Sequence, residues 1–199
     1  MKINQTKRAD FQIISKWIGQ NTKVLVLGCG DGALLNFLKS NNNVQGFGIE
    51  KDEKNWLLSL KNNIDVIQMD LEAGLSGFED NSFDTVILSK TLQAMHNIEE
   101  IMQEMLRVGN EVIITFPNFG YWKDRLQVML GHMPISDELP YQWYNTPNIH
   151  LCTLSDFDQF CHKHKMKVLD RLVLTNNKPI SVLPNLFGAL ALYRLIKKS

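Results

Sequence analysis

Three glycines at alternate positions, Gly28, Gly30 and Gly32, follow directly on the apolar run Val24-Leu25-Val26-Leu27. Glycine has no Cβ, so the backbone here can turn sharply and come close to a ligand. Four apolar residues in succession read as a strand covered on both faces, the habit of a parallel sheet. The amphipathic run over 33–39 then begins a helix, whose unpaired N–H groups and positive dipole end face back at the turn. Strand, glycine turn and helix N-terminus together make a site for a nucleoside-bearing cofactor. Glu50 stands 20 residues after Gly30, at the end of a second apolar run. A carboxylate in that position accepts hydrogen bonds from ribose hydroxyls.

Gly28-Cys29-Gly30-Asp31-Gly32-Ala33 satisfies two patterns. As GxGxG it is the first motif of methyltransferases that use S-adenosylmethionine; as GxGxxA it is a dinucleotide fingerprint. A tight strand-to-helix turn without any ligand gives the same string. Asp70 closes a third apolar run and is followed by Leu71, well placed to accept from an adenine amino group; a cap at a strand end is the plainer reading. With Phe83-Asp84-Thr85-Val86-Ile87-Leu88-Ser89 as a fourth strand, the balance favours S-adenosylmethionine over a nicotinamide cofactor.

The elements that position these residues follow from hydrophobic period. Phe11, Ile14, Trp17 and Ile18 place an amphipathic helix over 7–19. Strands are expected at 23–28, 44–50, 64–70, 83–89 and 111–116, with helices from 33, over 52–62 and from 98 to 106. Asp31 is a candidate cap for the helix at 33. Alternation of this kind means βαβ crossovers and a parallel sheet between helices. Beyond 117 the pattern changes: a helix over 122–130, an irregular stretch at 132–153 with three prolines, a helix capped by Ser155 and running to 164, a sixth strand at 167–174 and an edge strand at 189–196.

The 199 residues carry 21 basic and 21 acidic side chains, a balance that argues against broad binding of nucleic-acid phosphates. No apolar run approaches the ~18 residues of a membrane span, and residues 1–8 lack the apolar core of a signal peptide. Cys29, Cys152 and Cys161 form no CxxC pair, which fits reduced thiols in a cytoplasm. With His162 and His164 they match no zinc spacing, so no metal is expected.

Three strings fall outside these general motifs: Ser89-Lys90-Thr91-Leu92-Gln93, Thr115-Phe116-Pro117-Asn118-Phe119-Gly120-Tyr121-Trp122, and the segment from Leu139 to His150 that contains Tyr141-Gln142-Trp143-Tyr144-Asn145-Thr146-Pro147. With GCGDG, GIE and MDLE they resemble the methionine biosynthesis protein MetW family, within the class I methyltransferase-like superfamily. The resemblance implies a Rossmann-like α/β fold with a mostly parallel seven-stranded sheet and helices on both faces. It implies one domain over 1–199: an N-terminal helix in 1–20, a cofactor-binding half in 21–116, and an acceptor or partner half in 117–199 that includes the loop 132–153. It also implies S-adenosylmethionine or S-adenosylhomocysteine as cofactor, held by Gly28, Cys29, Gly30, Gly32, Glu50, Asp70, Leu71 and Ser89, and a homoserine O-acyltransferase as partner. Class I enzymes usually carry an acid two residues before the first glycine; here that position is Val26, which weakens the hold on the cofactor's ammonium group.

His96 is the best-placed base by sequence, against the reading of a surface or capping histidine. Asn118, Tyr121 and Trp122 follow the fifth strand and line either an acceptor pocket or a helix packing. Tyr141, Trp143, Tyr144 and His150 make the long loop a lid, a partner surface, or a segment folded on its own core. Two functions remain: a cofactor-binding protein of methionine biosynthesis that works with homoserine O-acyltransferase, and a free-standing small-molecule methyltransferase. A nicotinamide oxidoreductase is a distant third.

Overall fold

The computed structural model describes residues 8–198. Residues 1–7, which hold all but the last residue of the stretch expected to lack a signal-peptide core and the first position of the expected helix, lie outside the described residues. The chain divides into two compact units: Met1–Ser89 with Asn97–Ile113, and Lys90–His96 with Ile114–Ser199.

The first unit holds α1 (Ala9–Trp17), β1 (Lys23–Leu27), α2 (Ala33–Asn42), β2 (Gln45–Glu50), α3 (Glu53–Lys61), β3 (Val66–Gln68), β4 (Phe83–Ser89), α4 (Ile98–Val108) and the start of β5 (Gly109–Pro117). Its strands lie in the order β3-β2-β1-β4-β5. β1 buries Val24, Leu25, Val26 and Leu27 in succession, as a strand covered on both faces must. α2 buries Leu34, Leu35 and Leu38, one stripe of a 3.6-residue repeat, and ends at Asn43 in the left-handed region. α4 buries Ile101, Met102, Met105 and Val108 on one stripe.

Pairing is parallel from β3 through β2 and β1 to β4. Leu27 lies opposite both Ile49 and Leu88, and Glu50 lies opposite Gln68. The carboxyl ends of four strands therefore finish together. Gly28, Glu50, Asp70 and Ser89 follow or close those ends, on the edge where open α/β sheets bind ligands.

The second unit contains the end of β5, α5 (Trp122–Met129), α6 (Leu154–Lys163), β6 (Met166–Thr175), β7 (Lys178–Pro179), α7 (Pro184–Phe187) and β8 (Leu190–Lys197). Here the order is β5-β8-β6-β7. β6 pairs antiparallel with β8 from Met166↔Lys197 to Leu174↔Leu190, with a register shift between Val168 and Asp170. Phe116, Phe157 and Tyr193 form its aromatic core, with ring centroids 4.7 to 5.7 Å apart.

The α/β class and the mostly parallel sheet stand as the sequence reads. Among the described residues there are eight strands where seven are expected: β7 is a two-residue strand reached through Asn176 and Asn177, both at positive φ as a tight hairpin turn requires. The strand expected at the edge, 189–196, lies instead between β5 and β6. Leu190, Ala191, Leu192 and Tyr193 are all buried, which an edge position does not demand. The cap of α6 is Thr153 rather than Ser155, in a reciprocal box with Asp156.

Candidate functional site

Gly28, Gly30 and Gly32 all sit at positive φ (61°, 59° and 77°), so each of the three needs glycine's freedom. Gly32 is the N-cap of α2 and has no side chain to offer it. Asp31, the expected cap, stands one residue earlier; its Oδ1 accepts the Ala33 N–H at 3.1 Å. Around the turn the fold supplies partners from α3 and the residue that follows it. Ser59 Oγ donates to the Gly30 carbonyl at 2.9 Å, and Asn62 Nδ2 donates to the Asp31 carbonyl at 2.9 Å. Sequence reading missed both, because neither belongs to a motif.

Glu50 is 9% exposed. Its Oε2 accepts the Gly30 N–H at 2.8 Å, and its Oε1 accepts the Asp52 N–H at 2.9 Å. The acid thus ties the glycine turn to the end of β2. A carboxylate has about four acceptor positions, so two such bonds leave capacity for ligand hydroxyls. A Cβ placed on Gly30 would meet nothing within 4 Å, so the turn is open on that side. Open space beside the glycine turn and a buried carboxylate with spare acceptor positions suit the ribose end of a nucleoside.

Cys29 is buried and packs over Gly48: a Cβ at Gly48 would come within 2.5 Å of Cys29 Sγ. Burial pushes its thiol up to about 11, so the side chain is an inert filler, its Sγ 3.9 Å from the Gly30 carbonyl and 3.8 Å from Ser59 Oγ. Asp70 caps the short 3-10 turn Leu71–Ala73, Oδ1 accepting the Glu72 N–H at 3.1 Å. Its Oδ2 lies 2.5 Å from Lys51 Nζ, a bond that raises the lysine's pKa. The cap reading of Asp70 therefore holds in the geometry, and Lys51 is a neighbour that sequence reading did not provide. Leu71 is buried and Ser89 is half-buried at the end of β4. Val26 is 1% exposed and lies in register between Gly48 and Ile87.

The second unit gathers the other candidates differently. Asn118 is fully buried, and its amide serves the fold. Nδ2 donates to the Gly188 and Asn185 carbonyls at 2.7 and 3.2 Å; Oδ1 accepts from the Gly120 and Leu154 N–H groups at 3.0 and 3.2 Å. Tyr121 is buried as the N-cap residue of α5, edge-on to the exposed Trp122 at 6.1 Å. His96 is exposed, and His150 Nε2 lies 3.4 Å from its carbonyl oxygen. The Gln93 carbonyl accepts from the Ile149 and His150 N–H groups, which anchors the end of the long loop. Trp143 and Tyr144 are 72% and 71% exposed and stand edge to face at 5.7 Å. Tyr141 and Trp143 help to line an apolar cavity of about 230 Å³ with Phe119, Met133, Leu139 and Ile149. Among the described residues no group of three or more His, Cys, Asp or Glu side chains is placed to hold a metal. Nor is any helix among them long and apolar enough to cross a membrane.

Residues 8–195 match the family described as Methionine biosynthesis protein MetW. A bifunctional methionine biosynthesis protein MetXA/MetW of Rhodopirellula baltica is 40% identical over 161 residues, which is 76% of this chain. The chain spans only 26% of that relative's length. Among solved structures, a SAM-dependent methyltransferase of Thermotoga maritima superposes with a TM-score of 0.69 at 16% identity, covering 97% of this chain and 89% of that one. One from Archaeoglobus fulgidus gives 0.69 at 13% identity, covering 97% and 94%. At these identities the structural likeness establishes the fold, that of class I methyltransferases.

Proposed function

Because the chain belongs to the methionine biosynthesis protein MetW family, we propose that it binds S-adenosylmethionine or S-adenosylhomocysteine in its first unit and acts with a homoserine O-acyltransferase in the cytoplasm. The observation that carries the partner is the relative whose name joins MetXA to MetW in one protein. Two functions fused in one chain are two that benefit from proximity, and separate chains reach the same end by assembly. In this reading the backbone at Gly28, Cys29, Gly30 and Gly32 approaches the cofactor, and Glu50 accepts from the ribose. Asp70 and Leu71 flank the adenine, and Ser89 closes the site at the end of β4. The chain works as a single methyltransferase-like domain. The cofactor supplies an activated methyl group and is also a product of the methionine route. Its binding lets the complex respond to pathway output only if its affinity differs between the free and the partnered chain.

The test is to pass the chain and the acyltransferase from one organism together over a sizing column, then to titrate S-adenosylmethionine into the mixture. Co-elution with saturable binding supports the proposal; separate elution at micromolar concentrations overturns the partner. A second reading, a free-standing methyltransferase, is favoured by the open side of Gly30 and the residual acceptor capacity of Glu50. Formation of S-adenosylhomocysteine with candidate acceptors, in the absence of the acyltransferase, would decide for it.

A further inference from the structure

We propose that the outer face of α5, with the aromatic loop beside it, seats in an apolar, acid-rimmed groove of the acyltransferase partner. This rests on the partnership proposed above and adds the surface through which it forms. A surface helix ordinarily buries its apolar stripe. α5 does the reverse. Trp122, Leu126, Met129 and Leu130 recur at the spacing of one helix face, and all are exposed, Met129 to 77% and Leu130 to 65%. The one buried residue of the helix is Asp124, which a 3.6-residue turn sets opposite that stripe. The stripe does not stop with the helix. Met133, 55% exposed, lines the apolar cavity of about 230 Å³ with Tyr141 and Trp143, and Trp143 stands edge to face with Tyr144. The helix is held at both ends: Arg125 Nε donates to the Gly120 carbonyl at 2.6 Å, and Gln127 Oε1 accepts the Ile135 N–H at 3.0 Å. A face fixed before binding loses little freedom on docking.

Area and charge say what covers this face. Taking about 200 Å² for side chains of this size, the stripe with Met133, Trp143 and Tyr144 exposes on the order of 800 Å². The largest apolar patch on a typical monomer is about 300–600 Å², whereas one partner's share of a stable interface is about 800 Å². Lys123 and Arg125 are exposed, and the same helical geometry sets them on either side of the stripe. α5 exposes no acid, and Asp137 is the one exposed acid in 122–151; Glu138 is matched by Lys90 Nζ at 2.6 Å. A second copy would bring the same cations to the rim, and like charges across an interface oppose docking. A partner with carboxylates there meets both cations. A helix laid by its i, i+4 and i+7 anchors into an apolar groove is a recurring mode of recognition.

The experiment is calorimetric titration of the full chain with the acyltransferase from the same organism, beside sedimentation of the chain alone and with phosphatidylglycerol vesicles. Met129→Glu sets a charge in the stripe and against the acidic rim, and should weaken the complex by at least ~100-fold. Lys123→Glu should weaken it by about 10-fold, and less in high salt. Both positions are exposed, so the two variants should unfold at the parent's temperature. Leu57→Ala, on α3 and as exposed as Leu126, should bind like the parent. If the parent itself does not bind, the partnership falls and this surface with it. If the parent binds and the Met129 or the Lys123 variant binds equally well, the partnership stands and this surface is overturned. A parent dimer, or vesicle binding, that Met129→Glu abolishes would also overturn it, assigning the face to a second copy or to a membrane.

Discussion

Replacing Gly30 with Ala separates a glycine that serves a ligand from one that serves only a turn. Gly30 sits at φ 59°, and a Cβ there would meet nothing within 4 Å. The folded protein therefore bears only the left-handed backbone term, about 1–2 kcal/mol for an L residue. For a chain of this size that lowers Tm by roughly 2–8 °C. The ligand meets a different cost. The added methyl projects into the open side of the turn, beside the Glu50 carboxylate that accepts the Gly30 N–H at 2.8 Å. An extra methyl in a filled contact costs about 1–3 kcal/mol, or roughly 5- to 150-fold in affinity. The assay is thermal unfolding beside calorimetric titration with S-adenosylmethionine, below the unfolding range. A modest fall in Tm with a loss of affinity in that range is expected. Unchanged affinity in the folded variant would refute the reasoning and leave the three glycines as a turn.

Four other outcomes follow from the same geometry. Glu50→Gln keeps one acceptor oxygen but sets its NH2 against one of the two backbone N–H groups and should cost about 1–3 kcal/mol in denaturant unfolding and at least ~10-fold in S-adenosylmethionine affinity; a variant as stable as the parent would mean that the lost bond contributes nothing. Asn118→Ala strips partners from two carbonyls and two N–H groups in the second unit and should cost about 3 kcal/mol or more, read by chemical denaturation. Gly48→Ala should cost about 1–3 kcal/mol by overpacking Cys29, and adding Cys29→Ala should recover part of it in a double-mutant cycle. The thiols of Cys29, Cys152 and Cys161 are pushed up by burial to about 11, 12 and 12, so all three should resist a thiol reagent at pH 8 until the chain unfolds. Their folded pKa values exceed the unfolded one, so stability should be independent of these groups below about pH 8 and fall as pH rises past ~8.5, where the unfolded thiols ionise first.

What the sequence reveals is what short-range pattern controls. Four buried residues of β1 and the glycines after them are one local string, and the ends of the parallel strands bring Glu50 and Asp70 to the same edge without further information. The interactions that hold the site are not local. Ser59 reaches Gly30 across 29 residues, and Lys51 pairs with Asp70 from the next strand end. Asn118 joins carbonyls 67 and 70 residues away, so its part in the fold is invisible to spacing. The interior place of β8 is hidden for a related reason: strand order depends on which partner a buried strand finds, and the apolar run 189–196 is equally consistent with an edge or an interior place. Thr153 and Ser155 are equally good cap residue types; only the reciprocal bonds with Asp156 distinguish them.

The measurement that bears most directly on the function is the rate of homoserine O-acyltransferase from the same organism with and without this chain, then with S-adenosylmethionine added. A clear change in rate on adding the chain is expected, and a further change with the cofactor would make it a reporter of pathway output. An unchanged rate, with the chain folded and in excess, would contradict the partnership and leave the methyltransferase reading to be pursued through its acceptor.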